Sequence, residues 1–122
     1  MKITEEFSLD GHNFVYIDLS KIDMKEDFSI ASLEIKSVIA KYPPNSLYTI
    51  THIDSVKFDS ELKKIIAEYM GHNKLYVKYG VVIGLDGIKK IIAKSIFKIC
   101  GRTNMHFAFS KEQAIEWLLQ QE

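Results

Sequence analysis

The sequence predicts an α/β fold, in which a mostly parallel, mixed sheet opens with an N-terminal hairpin and packs against helices. Two observations predict it. An apolar run at residues 75–83 passes through Gly84 and Gly87 into an amphipathic segment, which is the pattern of a buried strand, a tight turn and a helix. Strand-like and helix-like segments also alternate along most of the chain, as in strand–helix–strand units with right-handed crossovers. The predicted order is β-β-α-β-α-β-α-β-α.

Length and composition predict a single domain over residues 1–122. The chain is 47% hydrophobic and 26% charged, which is typical of folded domains and unlike disordered ones. Its one cysteine, Cys100, excludes a disulfide framework and a cysteine zinc site. No apolar run approaches the roughly 18 residues of a membrane span, and the polar start of the chain is unlike a secretory signal. We therefore expect a cytoplasmic protein without a membrane span.

Charge is balanced in total but uneven along the chain. Lys+Arg and Asp+Glu both number 16, so the total does not indicate a nucleic-acid partner. Residues 1–27 hold seven acidic and three basic side chains, whereas residues 74–102 hold seven basic ones against the single Asp86. Two interpretations stay open. Either the two segments form ordinary solvated faces, or residues 74–102 form a basic surface that attracts an anionic partner or the acidic end of another copy.

Two β-prone runs at residues 3–9 and 13–19 predict a hairpin, because Asp10-Gly11 between them suits a tight turn. The first run is placed at the edge of the sheet and the second, more apolar run inside it. His12 is expected in the turn and solvated.

The first helix is predicted after Asp27, its expected N-cap, and before Pro43. Its apolar face is formed by side chains at helical spacing, namely Phe28, Ala31, Ile35, Val38, Ile39 and Tyr42. Residues 47–53 follow as the third strand, on which His52 is expected to be partly buried and structural.

The second and third helices flank the strand at residues 75–83. Gly71 is expected to end the second helix in the left-handed conformation. The expected buried face of that helix consists of Leu62, Ile65, Ile66 and Tyr69. Asp86 is the expected cap of the third helix and Gly101 its end. The expected buried face of the third helix consists of Ile88, Ile91, Ile92, Ser95, Ile96 and Ile99.

The opposite face of the third helix carries Lys90, Lys94 and Lys98, and Phe97 is placed beside this lysine row. An aromatic ring flanked by lysine stems is a usable anchor for a partner. A short strand at residues 104–109 then leads to a capping box at Ser110–Gln113 and a last helix. The inner side of that helix is expected to hold Ala114, Trp117, Leu118 and Gln121.

This organisation resembles the STAS-like (anti-sigma-factor-antagonist-like) domains, and most closely the small stand-alone bacterial proteins called STAS-like or lipid-transfer-like. The resemblance rests on element order and on three stretches, VKYGVVIG with GIKKII after it, SIFKICGR, and FSKEQAIEWL. It covers nearly the whole second half of the chain, and in the first half it rests on element order alone. Most of the similar proteins have no assigned activity, so the resemblance implies a fold more than a reaction.

In the sigma-regulating members, the loop after the third strand carries an Asp-Ser-Ser-Gly-type motif whose serine is phosphorylated by a partner kinase. The nearest stretch here is Phe58-Asp59-Ser60-Glu61. Asp59 and Ser60 match the first two positions of the motif, Glu61 stands in place of the second serine, and the glycine is absent. A phosphate on Ser60 would be favoured by the helix start. Asp59 and Ser60 are equally ordinary N-caps, so both interpretations stay open.

No residue pattern indicates a cofactor, a metal site or an enzyme. The four histidines and Cys100 lack metal-ligand spacing, and there is no nucleophile elbow. The turn formed by Gly84, Asp86 and Gly87 exposes backbone N–H groups at a helix start and could hold an anion, or its glycines simply allow close packing.

Two functions are weighed. The first is a non-enzymatic interaction or regulatory module, which contacts another protein or a second copy of itself (a homodimer) through Asp59-Ser60, Gly84–Asp86 and the face with Lys90, Lys94, Phe97 and Lys98. The alternative is a protein that binds a small apolar or anionic molecule, or a lipid, in a pocket between sheet and helices lined by Tyr48, Tyr69, Tyr76 and Tyr79. A weaker third option is an enzyme that uses His52 or His106 with a carboxylate partner.

Overall fold

A computed structural model describes residues 3–20, 22, 25–53 and 60–121. The elements follow the predicted order of strands and helices. Their bounds are β1 Thr4–Leu9, β2 His12–Asp18, α1 Lys25–Ile39, β3 Leu47–His52, α2 Ser60–Asn73, β4 Val77–Ile83, α3 Gly87–Ile99, β5 Met105–Ala108 and α4 Lys111–Leu119. The α/β class and the mixed sheet are therefore confirmed.

The five strands lie in the order β1-β2-β3-β4-β5. β1 pairs antiparallel with β2, through a turn in which Asp10 and Gly11 both have positive φ, and the other three pairings are parallel. The three parallel crossovers step in the same direction across the sheet, and α1, α2 and α3 lie side by side on one face. Crossovers that all have the usual right hand produce this arrangement. α4 returns across the other face and contacts β3, β4 and β5.

Each face of the sheet has its own buried cluster. On the three-helix face, Phe28 of α1, Ile66 of α2 and Ile96 of α3 bury against the sheet. On the other face, α4 buries two side chains, Ala114 and Leu118, as predicted. They pack against side chains of the three central strands, namely Phe14, Tyr48, Ile50, Val81 and Ile83. The strand at the centre, β3, is consequently buried on both sides.

Helix ends agree with the sequence at some positions and differ at others. The Ser110 hydroxyl accepts from the backbone N–H of Gln113, which confirms the Ser110 half of the capping box. The Gln113 side chain accepts from the backbone N–H of Phe109, one residue before the N-cap. Gly101 ends α3 with φ +73°. The prediction for Asp27 is wrong, because α1 begins earlier, at Lys25, in residues that favour helix. Gly71 lies inside α2, which continues to Asn73, so a left-handed residue is not needed there.

The rotation of α3 about its axis differs from the prediction. Its buried residues are Ala93, Ile96 and Phe97, and Phe97 is only 8% exposed. The Phe97 ring stacks on Phe107 of β5 at a centroid distance of 5.8 Å. An aromatic ring buries more apolar area than an isoleucine, and Ala93 lets the helix approach the sheet. Three of the isoleucines expected to be buried, Ile88, Ile91 and Ile99, consequently face outward.

This rotation predicts a large loss of stability for one truncation in α3 and almost no change for another. Phe97→Ala should lower the free energy of unfolding by about 3–5 kcal/mol, because it leaves a cavity beside Phe107. Ile91→Ala should change it by no more than about 0.5 kcal/mol, because the side chain is exposed. Urea unfolding monitored by circular dichroism measures both. A larger loss for Ile91→Ala than for Phe97→Ala would mean that the isoleucine face predicted from the sequence is the buried one.

Alanine substitutions at Gly80 and Gly71 should change the stability of the protein in opposite directions. A Cβ at Gly80 would lie 2.7 Å from the Met105 sulfur and 2.9 Å from the Thr49 hydroxyl oxygen. Gly80→Ala should therefore destabilise the protein by about 1–3 kcal/mol through overpacking. A Cβ at Gly71 would meet nothing within 4 Å, so Gly71→Ala should stabilise α2 by roughly 0.5–1 kcal/mol. Thermal unfolding measures both signs, and a destabilising Gly71→Ala would mean that α2 ends at Gly71.

Candidate functional site

The outer face of α3 is an exposed apolar surface, defined here by Ile88, Ile91 and Ile99. These side chains are 75%, 68% and 75% exposed. Lys94 and Lys98 lie beside them, and both are exposed. Isolated exposed aliphatic residues are common, but three on one helix among lysines form a surface suited to a partner. The available signal in the sequence was that α3 contains more isoleucines than one buried face can hold.

Lys90 and Lys94 lie over aromatic rings at the border between α3 and β5. The Lys90 ammonium is 5.8 Å from the Phe107 centroid and 5.3 Å from that of Phe109, and Lys94 is 5.9 Å from Phe107. Such contacts contribute about 0.5–1 kcal/mol each at exposed sites. The lysines were predicted at an interface, but the exposed aromatic residue beside them is Phe109 and not Phe97, which is in the core.

The predicted phosphorylation residue and the predicted anion-binding turn lie at the starts of two different helices, α2 and α3. Asp59 lies outside these residues, and Ser60 is the first residue of α2. Gly84 and Gly87 do adopt positive φ, at +95° and +22°. Asp86 occupies the N-cap position of α3 but makes no side-chain cap hydrogen bond with a described residue. Its carboxylate at this helix start opposes an anion there.

The four tyrosines predicted to line one pocket are divided between the two faces of the sheet. Tyr48 and Tyr79 belong to the α4 side, whereas Tyr69 and Tyr76 belong to the three-helix side. An apolar cavity of about 50 Å³ does lie between the sheet and the three helices, beside Leu19, Tyr69 and Phe97. Pockets for small molecules usually measure roughly 300–1,000 Å³, so the cavity as it stands is too small for a lipid.

A histidine, a carboxylate and a phenol meet at the carboxyl ends of β2 and β3. His52 Nδ1 lies 3.8 Å from Asp18 Oδ1 and 3.5 Å from the Tyr16 hydroxyl. Asp18 Oδ1 also accepts from the backbone N–H of Ser20 at 3.0 Å. Asp18 and His52 are register partners on adjacent parallel strands, which the sequence could have indicated. His52 is half-buried, as predicted.

The other histidine weighed for catalysis has a different environment. The His106 ring stacks on Trp117 at a centroid distance of 4.2 Å and an interplanar angle of 3°. Trp117 in turn meets Tyr79 edge-on at 5.9 Å. His106 is exposed and makes no ion pair with a carboxylate of the described residues, and Trp117 is half-buried.

The phenol of Tyr16 is perturbed by its neighbours. Burial raises the pKa of Tyr16, and the negative charge of Asp18 raises it further. Lys111 acts in the opposite direction, with its ammonium 4.4 Å from the Tyr16 centroid and 2.9 Å from Glu5 Oε1. The cluster around Tyr16 is therefore a set of coupled charges on the part of the sheet next to α4.

No protein-family model matches this chain, and no curated protein matches it significantly. Within the described ranges, no group of three or more metal-ligating side chains is present. In the same ranges, no helix is long and apolar enough to cross a membrane.

The Tyr16 cluster gives a prediction with a defined sign. Asp18→Asn should lower the pKa of Tyr16, because the phenolate no longer faces a negative charge. Lys111→Met should raise it, because a stabilising cation is lost. NMR titration of ¹³C-labelled tyrosine measures both. Asp86→Asn, a change at the start of α3, is the control and should leave the Tyr16 pKa unchanged; equal shifts in all three variants would contradict the local coupling.

Proposed function

We propose that this chain is a non-enzymatic interaction or regulatory module of STAS-like fold that binds a partner protein through the outer face of α3. The observation that carries the proposal is the exposure of Ile88, Ile91 and Ile99 on one helix. A STAS-like identity is supported by the element order, which is the order that the resemblance implies. We place the module in the reducing cytoplasm, in keeping with its one free thiol, Cys100.

The charge around the outer face of α3 defines the chemistry of the partner. Lys94 and Lys98 flank the isoleucines, so the complementary surface carries aliphatic side chains bordered by carboxylates. Two copies joined through their outer faces would bring these lysines together, and like charges repel. A head-to-tail contact with the acidic edge is also less favourable, since Glu5 and Glu6 already pair with Lys111 and Lys41. An amphipathic acidic helix of another protein fits best.

The alternative, a small-molecule or lipid-binding protein, is favoured by the apolar cavity between the sheet and the three helices. Its walls include Phe28, Met70 and Ile96, and its volume is about 50 Å³. A ligand the size of a lipid would have to widen it to at least roughly 300 Å³. Because that requires the helices to move, the exposed surface of α3 supports the interaction module more directly.

Binding to a designed acidic helix tests the proposal. The probe is a synthetic peptide with leucines at i, i+3, i+4 and i+7 flanked by glutamates, and fluorescence anisotropy measures its Kd. The double variant Ile88→Asp with Ile91→Asp should raise the Kd at least about tenfold, because it places acids in the contact. A peptide with lysines in place of the glutamates should bind the unchanged protein more weakly.

A matched control exists on α1. Ile30 and Leu33 have the same spacing as Ile88 and Ile91 and are 69% and 67% exposed. Ile30→Asp with Leu33→Asp should leave the Kd unchanged. Equal weakening by both double variants, or tighter binding to phosphatidylglycerol vesicles than to the peptide, would contradict a protein partner at the outer face of α3.

A further inference from the structure

A polar groove of about 480 Å³ lies at the opposite end of the parallel strands from the His52 cluster. It is formed where the α2–β4 and α3–β5 connections meet the start of β4. The side chains that matter for binding are Asn45, Lys74, Lys78, Tyr79, Thr103 and Asn104. Its volume falls within the usual range for small-molecule sites, roughly 300–1,000 Å³. The groove shares no residue with the outer face of α3.

A break in the strand register places Lys78 in this groove. β3 pairs Leu47 with Val77 and then Tyr48 with Tyr79, so Lys78 is the extra residue of a bulge. Bulges re-aim a side chain away from the regular ladder. The Asn104 amide donates to the carbonyls of Val77 and Lys78, at 3.0 and 2.8 Å, and so holds the bulged segment in place. The position of Lys78 is thus fixed by the backbone.

Two cations, Lys74 and Lys78, line the groove. The ammonium groups of Lys74 and Lys78 make no ion pair with a described residue, and no carboxylate is among the side chains of the groove. A third cation, Arg102, does not line the groove but is linked to it through Asn104, and it is only 5% exposed. Its guanidinium donates to Asn104 Oδ1 at 3.0 Å and to the Met70 carbonyl at 3.2 Å. The contact with the Met70 carbonyl places a positive charge at the C-terminal end of α2. This charge offsets the negative end of the helix dipole, which would otherwise disfavour an anion.

The groove also offers neutral hydrogen-bonding groups and one aromatic wall. The Asn45 amide and the Thr103 hydroxyl make no side-chain hydrogen bond with a described residue, so both are available to a ligand. The Tyr79 ring borders the same space. Burial lowers the pKa of Arg102, as expected for a cation without a carboxylate partner.

We propose that this groove binds a small anionic molecule through a phosphate or carboxylate group held by Lys74 and Lys78, beside Asn104 and the buried guanidinium of Arg102 that donates to it. The concave shape and the limited volume favour a small molecule over an extended polyanion. The inference goes beyond the proposed interaction function and does not depend on it.

Inorganic phosphate and citrate are the probes, and ¹H–¹⁵N NMR of the full chain measures saturable shifts at the amides of Lys78, Thr103 and Asn104. Lys74→Met with Lys78→Met keeps the side-chain stems and should weaken binding of the preferred probe at least about tenfold. The ratio of the two affinities identifies the preferred group. Lys94→Met with Lys98→Met removes the same charge from α3 and should leave the affinity unchanged.

Equal weakening by both double variants, or shifts spread over all lysines, would overturn the site in favour of general cationic attraction. Absence of saturable binding by the unchanged protein would also overturn it. Tighter binding to a single-stranded oligonucleotide, lost in Lys74→Met with Lys78→Met, would assign the groove to an extended polyanion instead. If that double variant does not fold, the single Lys78→Met variant carries the same test with a smaller expected loss.

Discussion

Burial of the central strands on both faces is the constraint on which the rest of this structure depends. Tyr48 and Ile50 of β3 are fully buried beneath α4, while Leu47 on the opposite side belongs to the three-helix core. Parallel strands need crossovers, and crossovers of one hand that step in one direction place all their helices on the same face. A further helix, α4, must therefore cover the second face, and it covers only part of it.

Local signals account for the parts of the fold that the sequence predicts correctly. The Asp10-Gly11 turn, the capping box at Ser110 and the apolar run before Gly84 each act within a few residues, so they can be recognised without tertiary contacts. The rotation of α3 about its axis cannot be recognised in this way. Its isoleucines form two nearly equivalent apolar faces, and the choice between them depends on Phe107, which lies on another element. Long-range packing overrides periodicity here.

The same distinction applies to the candidate sites. Lys94 is exposed, as its charge alone predicts. Lys90 is half-buried, because its side chain packs over the Phe107 and Phe109 rings of another element. The groove beside Lys78 could not be predicted, because it depends on a register break between β3 and β4 and on the reach of Asn104 to two carbonyls. The Asp18–His52 pair is intermediate, because a correct strand alignment would have placed the two residues side by side.

The neighbour-by-neighbour order of the strands has a consequence during synthesis. Each strand pairs with the one made just before it, so the sheet can grow as the chain leaves the ribosome, starting from the hairpin. The three-helix face is covered along with each new strand. The other face, with Phe14, Tyr48 and Val81, stays uncovered until the last element, α4, is made. Until α4 docks, a nascent chain therefore exposes this apolar face to aggregation and to chaperones.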